Sequence, residues 1–228
     1  MNCRYDFHEF PALFLTVLAD KEYYCFAPWP KSNITGASRQ DIDRLLFVTL
    51  FIISMAGKTL IRVKSIQMIR NLHHLDAASI LQIYQQGLDS GEASFETEAP
   101  DWATWQSKYH HFCRLVWEQD GKPVGWAALA PVSVRHCYRG VAEVSIYVAD
   151  RYLGQGIGSK LMTALIDEAE SNGIWSLYAS IFPENQATRK LHLRHGFREV
   201  GIRERIAQRE GRWRDTLILE RRSGKVGV

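Results

Sequence analysis

Cysteine is scarce in this sequence of 228 residues, which contains only four: Cys3, Cys25, Cys113 and Cys137. None of them has a C-x-x-C spacing, and the chain is too long for a small disulfide scaffold. The pattern therefore predicts reduced thiols and a cytoplasmic protein. The eight histidines include adjacent pairs, but no second pair follows at a metal-ligand spacing. We predict that the protein binds no metal.

An excess of charge of one sign is also missing. The chain has 28 Lys and Arg against 25 Asp and Glu, which gives a formal net charge of +3. Residues 1–67 hold eight of the basic and six of the acidic residues, so residues 68–228 hold 20 and 19. A nearly neutral segment of this kind argues against nucleic acid as the main partner.

No hydrophobic run is long enough for an ordinary membrane span. The run at 45–57 is nearly uncharged, but it is shorter than the ~20 residues that a spanning helix needs. It also lies too far from Met1 for a secretory signal peptide. We expect residues 1–67 to be a weakly ordered N-terminal extension without a sustained hydrophobic period. A single membrane anchor is one alternative, and a natural start at Met68 is another.

The pattern becomes regular from residue 68 onward. Hydrophobic periodicity predicts strand, helix, helix, three strands, helix, strand, helix and two strands, the last two joined around Gly211. Asp76, Asp101 and Asn185 are predicted helix N-caps. The dipeptide at 120–121, Asp-Gly, predicts a tight hairpin turn.

Residues 144–161 join a strand to a glycine-rich turn and an amphipathic helix. Residues 144–148 alternate as a strand does, and Gly154, Gly156 and Gly158 let the backbone turn with its N–H groups toward one point. At a helix N-terminus such a turn holds an anion, for example a pyrophosphate. The spacing departs from the phosphate-loop pattern G-x-x-x-x-G-K-[ST] and from the dinucleotide pattern G-x-G-x-x-G.

The turn resembles the [QR]-x-x-G-x-[GA] loop of the GCN5-related N-acetyltransferases (GNAT), whose amides hold the pyrophosphate of coenzyme A. Aligning Gly156 and Gly158 with the family's glycines keeps the distance from the strand but puts Leu153 where Gln or Arg is usual. A register two residues earlier restores Arg151 but changes that distance. In the first register, the resemblance implies acetyl-CoA as cosubstrate and contacts from Ile146, Tyr147, Val148, Gly154, Gln155, Gly156, Ile157, Gly158 and Ser159.

Two further stretches resemble the same family and indicate candidate catalytic residues. Residues 182–197 look like the signature N-x-A-x-x-x-[LM]-[YH]-x-x-x-G-[FY], which implies that Asn185 contacts the pantetheine arm and that His192 lies near the thiol. His192 is then the candidate proton donor to the departing thiolate. Residues 138–148 are similar to the A-E-x-S-V-Y-V stretch of phosphinothricin acetyltransferases. Glu143 is the candidate base, because a carboxylate at a strand end can take the proton of an amine.

The acceptor side resembles the same branch. Residues 95–98 (F-E-T-E) and 211–215 (G-R-W-R-D) are similar to its F-x-T-E and G-x-W-x-D segments. This likeness implies a small, enclosed acceptor pocket that includes Phe95, Tyr138 and Trp213. Arg135 is the nearest upstream cation to Tyr138, and a guanidinium suits a substrate carboxylate, so we predict that Arg135 binds it.

The resemblance covers residues 68–221 and leaves a short tail at 222–228. It implies an α/β fold of the GNAT type, with a mixed central β-sheet flanked by helices. The expected function is acetyl-CoA-dependent acetylation of the amine of a small amino acid or analogue, such as phosphinothricin or methionine sulfoximine. The alternatives are a protein, peptide or aminoglycoside amine, or a non-catalytic acyl-CoA-binding module. The resemblance also allows a homodimer, and no membrane partner is expected.

Overall fold

The computed structural model describes residues 65–228 and, within residues 1–64, only two short strands. These strands, β1 (Thr16–Ala19) and β2 (Glu22–Cys25), pair antiparallel. The chain divides into two compact units, of which the second begins at residue 65. The run at 45–57 lies outside the described residues, so the hypotheses about the N-terminal extension stay predictions. In the described part, no helix is both long enough and apolar enough to cross a membrane.

The second unit contains eleven strands and α-helices in the predicted order. They are β3 (Gln67–Asn71), α1 (Ala77–Asp89), α2 (Trp102–Lys108), β4 (Arg114–Gln119), β5 (Lys122–Pro131), β6 (Val141–Val148), α3 (Ile157–Ser171), β7 (Ser176–Ile181), α4 (Gln186–Arg194), β8 (Arg198–Arg209) and β9 (Arg212–Arg222). Strand β8 is longer than the sequence pattern predicts, because its pairing with β9 continues to Arg209↔Arg212. The predicted α/β architecture is confirmed.

The seven strands from β3 onward form one mixed sheet in the order β3-β4-β5-β6-β7-β9-β8. All neighbours pair antiparallel except β6 and β7, which are parallel. A parallel pair needs a crossover connection, and helix α3 supplies it. The sheet is therefore antiparallel on both sides of one parallel junction at its centre.

Two apolar clusters cover the two faces of the sheet. One packs α3 against the sheet and includes the buried Leu161, Met162, Leu165, Ile166 and Ala169. The other packs α1 and α2 against the sheet and includes the buried Ile80, Ile83, Tyr84, Leu88 and Trp105. Strand β6 contributes to both, since Val144, Ile146 and Val148 contact the first cluster and Tyr147 the second. The alternation predicted for this strand is confirmed.

Short-range polar signals set the helix starts and the first hairpin. The Asp101 carboxylate accepts a hydrogen bond from the Thr104 N–H at 2.8 Å, as a helix N-cap does. Asp120 and Gly121 have φ angles of 52° and 76°. Positive φ at both central residues is the geometry of the two-residue turn that matches the twist of a hairpin. The cap at Asp101 and the turn at 120–121 are therefore confirmed.

Asp76 lies at the N-cap position of α1, but the prediction that its side chain caps the helix is wrong. The carboxylate instead accepts from the His73 N–H at 2.8 Å and pairs with the Arg70 guanidinium at 2.7 Å. Arg70 also pairs with Glu118 at 2.7 Å. The Asp76 side chain thus forms a long-range ion pair instead of the N-cap that the local sequence predicts. Through Arg70, this ion-pair network joins β3, α1 and β4.

Gly87 lies inside α1, where glycine disfavours the helix. A Cβ atom at this position would lie 2.5 Å and 2.6 Å from two ring carbons of Tyr147. The Tyr147 ring is itself confined, because it stacks on Trp126 with ring centroids 4.9 Å apart and meets Tyr84 edge-on at 4.7 Å. The glycine therefore lets the helix approach the central strand.

Gly87→Ala tests this packing. In an unconstrained helix interior the change stabilises a protein by about 0.5–1 kcal/mol. Here we expect a loss of about 1–3 kcal/mol in the free energy of unfolding, as overpacked cores show, measured by urea denaturation. Gly158→Ala in α3 is the control, because its Cβ would meet Leu191 at an ordinary 3.6 Å. A Gly87→Ala protein as stable as wild type would contradict the role of Gly87.

Candidate active site

The parallel pairing of β6 and β7 stops partway along both strands. Only three residue pairs form: Val141↔Ser176, Ala142↔Leu177 and Glu143↔Tyr178. On its other side β6 remains paired with β5 as far as Val148. Residues 144–148 therefore keep one ladder of hydrogen bonds and present unpaired backbone N–H and C=O groups toward β7.

A cavity of about 460 Å³ lies at this break. Its walls include residues 143–148 of β6 and residues 179–182 at the end of β7. Helix α4 contributes Asn185, Thr188 and His192, and the loop between α1 and α2 contributes residues 92–95. The volume lies within the range of small-molecule sites. Polar backbone, the Glu143 carboxylate and one imidazole thus share a single cavity.

The glycine turn lies directly after β6, beside Leu153, which lines the cavity. Gly154 and Gly156 have φ angles of 75° and 77°, which explains glycine at both positions. Gly156 is the N-cap of α3, and the first helical bond runs from the Lys160 N–H to the Gly156 carbonyl at 3.2 Å. The N–H groups of residues 157–159 consequently have no partner within the helix. They point out of its positive end, where an anion is favoured.

The side chains of the turn bond within the protein. The Gln155 amide donates to the Arg151 carbonyl at 3.2 Å, and the Ser159 hydroxyl lies 3.2 Å from Nε2 of His195. Neither contact uses the backbone amides. The turn therefore offers an anion its main chain rather than its side chains.

Glu143 lies at the last paired position of β6 and is half-buried on the cavity wall. Burial raises the pKa of Glu143, while the positive charges of Lys108 and Arg203 act in the opposite direction. Glu96 adds a further upward shift of this pKa. A carboxylate with a raised pKa is a stronger base than an exposed one.

Lys108 and Glu96 lie close to Glu143 and were missed as site residues by the sequence analysis. Lys108 Nζ is 2.9 Å from Glu96 Oε1, and the Tyr84 hydroxyl donates to the other Glu96 oxygen. Glu96 belongs to the quoted segment 95–98, so a signal for it was present. Lys108 is the last residue of the short helix α2, in a stretch without any motif, and only the fold brings it to the cavity.

His192 is 4% exposed and lines the cavity from α4. Its Nδ1 lies 2.9 Å from the Thr188 carbonyl, which only accepts, so Nδ1 carries the hydrogen. Nε2 is buried and has no hydrogen-bond partner in the described part of the chain. Burial also lowers the pKa of His192, so the ring is neutral near pH 7.

Asn185 uses both ends of its side-chain amide. The oxygen accepts from the Thr188 N–H at 3.0 Å, which confirms the predicted cap of α4, and the nitrogen donates to the Glu92 carbonyl at 3.1 Å. The residue lines the cavity, as do three others predicted to bind the cosubstrate, Ile146, Tyr147 and Val148. Asn185 thus joins the cavity wall of α4 to the loop that follows α1.

The predicted substrate residues do not all meet at the cavity. Phe95 lines it, with its ring edge-on to Phe182 at a centroid distance of 4.9 Å. Arg135, Tyr138 and Trp213 are exposed and lie outside the cavity lining. Within the described residues, no group of three or more His, Cys, Asp or Glu side chains has a metal-binding arrangement. The substrate contacts and the absence of a metal stay predictions.

Two relatives align with the greater part of the chain. The phosphinothricin N-acetyltransferase of Alcaligenes faecalis is 32% identical over 152 residues, which cover 64% of this chain and 77% of that protein. The L-methionine sulfoximine/L-methionine sulfone acetyltransferase of Pseudomonas paraeruginosa is 29% identical over 158 residues, 67% of this chain and 92% of that protein.

Solved structures share the fold at a TM-score of 0.64. A ribosomal-protein-alanine N-acetyltransferase from Brucella melitensis is 31% identical, and the match covers 68% of this chain and 99% of that one. A GNAT superfamily phosphinothricin acetyltransferase from Sinorhizobium meliloti, in complex with acetyl-CoA, is 25% identical, with 71% and 90% covered. The sequence pattern of the Acetyltransferase (GNAT) family matches residues 77–197, just over half of the chain. The chain therefore belongs to the Acetyltransferase (GNAT) family and is an enzyme that acetylates an amine.

Proposed function

We propose that this enzyme uses acetyl-CoA to acetylate the amine of a small amino acid or analogue, such as phosphinothricin or methionine sulfoximine. The cavity at the β6–β7 break carries the proposal, because it brings Glu143 and His192 together beside the unpaired backbone of β6, the strand that leads to the glycine turn. We call the part near Phe95, Lys108 and Glu143 the acceptor end. The two relatives named for these acceptors support the proposal at 32% and 29% identity.

The residues present fit acetyl-CoA. The unpaired backbone groups of residues 146–148 match the amides of a pantetheine arm, and the N–H groups of residues 154–159 match a pyrophosphate. Asn185 lines the same cavity. When bound, acetyl-CoA supplies the acetyl group as a thioester. The protein's part is to hold this group beside the acceptor and to move protons.

Glu143 is the proposed general base. A protonated amine has no free electron pair, so its proton must leave, directly or through water, for the Glu143 carboxylate. The acceptor nitrogen then bonds to the acetyl carbon while the carbon–sulfur bond breaks, and the sulfur leaves with the electron pair as a thiolate. Because burial raises the pKa of Glu143, the carboxylate takes up this proton more readily than an exposed one.

His192 is proposed to return a proton to the sulfur. With Nδ1 bound to the Thr188 carbonyl, only Nε2 is available for this step. A low pKa makes the protonated ring a strong acid, which favours transfer to a thiolate. Because the resting ring is neutral, the proton taken by Glu143 must reach Nε2 during turnover, and water in the cavity offers a route.

Glu143→Gln keeps the shape of the side chain and removes the base. We expect kcat to fall ~10²-fold or more, with acetyl-CoA affinity by titration calorimetry nearly unchanged. In wild type, kcat/KM should rise with pH as Glu143 loses its proton. The inflection should lie above the usual Glu value, since burial raises this pKa. This acidic limb should be missing from the variant.

Glu98→Gln is the matched control, since it removes an exposed carboxylate that lies outside the cavity lining. It should keep both the rate and the pH profile of wild type. Wild-type turnover by Glu143→Gln would remove Glu143 from the mechanism.

An amino-acid acceptor brings a carboxylate into the cavity, and a buried unpaired charge is costly. The sequence proposes Arg135 as its partner, but Arg135 lies outside the lining. Lys108 is the one Lys or Arg among the described residues that lines the cavity. Its side chain is 37% exposed, and its contacts with Glu96 and Tyr84 leave one of three N–H groups free. We propose Lys108 as the cation for the acceptor carboxylate.

Comparing an acceptor with its decarboxylated amine shows which cation, Lys108 or Arg135, binds the acceptor carboxylate. Wild type should show a higher kcat/KM for methionine sulfoximine than for that amine. We expect Lys108→Met to reduce this preference by about tenfold or more, because the carboxylate loses its charge partner, and Arg135→Met to retain it. Loss in Arg135→Met alone would assign the carboxylate to Arg135. Equal rates with both acceptors in wild type would refute the amino-acid assignment.

A protein N-terminus is the second candidate acceptor. The neighbour from Brucella melitensis, named for ribosomal-protein alanine, favours it at 31% identity. A cavity of about 460 Å³, which lies within the range of small-molecule sites, favours a small molecule. A peptide that begins with alanine belongs in the same assay, and a higher kcat/KM for the peptide would replace the proposed acceptor class.

A further inference from the structure

The loop between α1 and α2, residues 90–101, contains no helix or strand, yet distant side chains bind its backbone. Arg209, near the tip of the β8–β9 hairpin, makes two of these bonds and a third to the helix before the loop. Its guanidinium donates to the carbonyls of Ser94 at 2.6 Å, Glu96 at 3.2 Å and Leu88, in the last turn of α1, at 2.9 Å. One side chain thus ties the end of α1 to both halves of the loop.

Arg214, on the other strand of the hairpin, holds the start of the loop. Its guanidinium donates to the Gly91 carbonyl at 3.0 Å and to the Glu184 carboxylate at 3.1 Å. It also lies over the Phe182 ring, 3.9 Å from the centroid. Because Phe182 packs edge-on against Phe95, Arg214 supports both the backbone and the aromatic wall of the cavity.

The surroundings of Arg209 suit hydrogen bonds to backbone carbonyls better than an ion pair. Its side chain is 8% exposed, whereas its nearest carboxylate, on Glu210, is 3.5 Å away and 73% exposed. A buried cation needs compensation, and the carbonyls at the negative end of α1 supply it. A lysine has a single nitrogen and lacks the planar fork of arginine, so it cannot reproduce three divergent bonds.

The loop held in this way forms much of the acceptor end. Residues 92–95 line the cavity, and Glu96 follows at once, where it bonds Lys108 and Tyr84. A shift of the loop backbone would therefore move Phe95 and Glu96 relative to Glu143. The cosubstrate side, built from β6 and the glycine turn, receives no contact from Arg209.

We propose that Arg209 and Arg214 are positioning residues that set the shape of the acceptor end, and with it the choice of acceptor, by holding the loop at residues 91–96. Neither touches the reacting atoms. The inference rests on the proposed function, because the acceptor end is defined there. It assigns substrate selection in part to two arginines that themselves lie outside the cavity lining.

The kinetic test compares Arg209→Lys and Arg214→Met with Arg212→Met. Arg212 lies on the same hairpin, is exposed, and makes no side-chain hydrogen bond or ion pair within residues 65–228. For the two test variants we expect KM for methionine sulfoximine to rise about tenfold, KM for acetyl-CoA to stay within about twofold, and the preference over a larger amine to shrink. Arg212→Met should match wild type.

Hydrogen exchange on the full-length proteins gives a readout that does not need turnover. Amides of residues 90–98 should exchange faster in both test variants, whereas those of residues 154–161 should not change. Arg214→Lys should recover part of the loss, because it restores a donor near Gly91. A lowered Tm with an unchanged KM ratio and acceptor preference would show a merely structural role and overturn the inference.

The outcomes also separate the inference from the proposed function. If wild type acetylates none of the amino-acid acceptors, the proposed function fails, and the same KM comparison is made with the amine that does react. Unchanged exchange at residues 90–98 in Arg209→Lys and Arg214→Met would overturn the inference whatever the acceptor.

Discussion

The architecture depends on the point where the pairing of β6 and β7 ends. A buried backbone group without a partner costs about 1–3 kcal/mol, so strands rarely part inside a sheet. Here β6 keeps its partner β5 as far as Val148 and loses β7 after Glu143. The groups left unpaired must meet water or a ligand. The same break places Glu143, at the last paired position, on the wall of the cavity.

Other features support this break from both faces of the sheet. Helix α3 begins at a left-handed glycine, Gly156, eight residues beyond the end of β6, and its first N–H groups have no partner within the helix. On the opposite face, Gly87 lets Tyr147 fill the space beneath α1. The α1–α2 loop closes the acceptor end, and its own carbonyls are bound by Arg209, Arg214 and Asn185. In the proposed function, cosubstrate and acceptor meet where the strands and this loop face each other.

Local signals explain what the sequence predicted well. Periodicity located the helices and strands, and the caps at Asp101 and Asn185 and the turn at 120–121 depend on residues within a few positions of one another. The glycine turn was also recognisable, because Gly154 and Gly156 both need positive φ. Glu143 and His192 line one cavity. The sequence predicts the strand and the helix on which they lie, and with them the face on which each side chain lies.

Long-range contacts explain what the sequence-based predictions missed. Asp76 follows a capping pattern, but a guanidinium from β3 takes its carboxylate. Lys108 pairs with Glu96, and Arg209 binds the Ser94 carbonyl. Both contacts join residues more than ten positions apart, and no spacing in the sequence predicts them. Tyr138 and Trp213 were assigned to the acceptor pocket by resemblance and Arg135 by its position upstream of Tyr138. All three are exposed and lie outside the cavity lining, and their roles stay predictions.

The most direct test of the central claim is hydrogen exchange of the wild-type protein with and without acetyl-CoA. If the break between β6 and β7 holds the cosubstrate, the amides of residues 144–148 that do not bond to β5 should exchange more slowly in its presence. The amides of residues 155–159 should slow with them, while those of the β8–β9 hairpin keep their rates. Unchanged exchange at residues 144–148 under saturating acetyl-CoA would contradict the account.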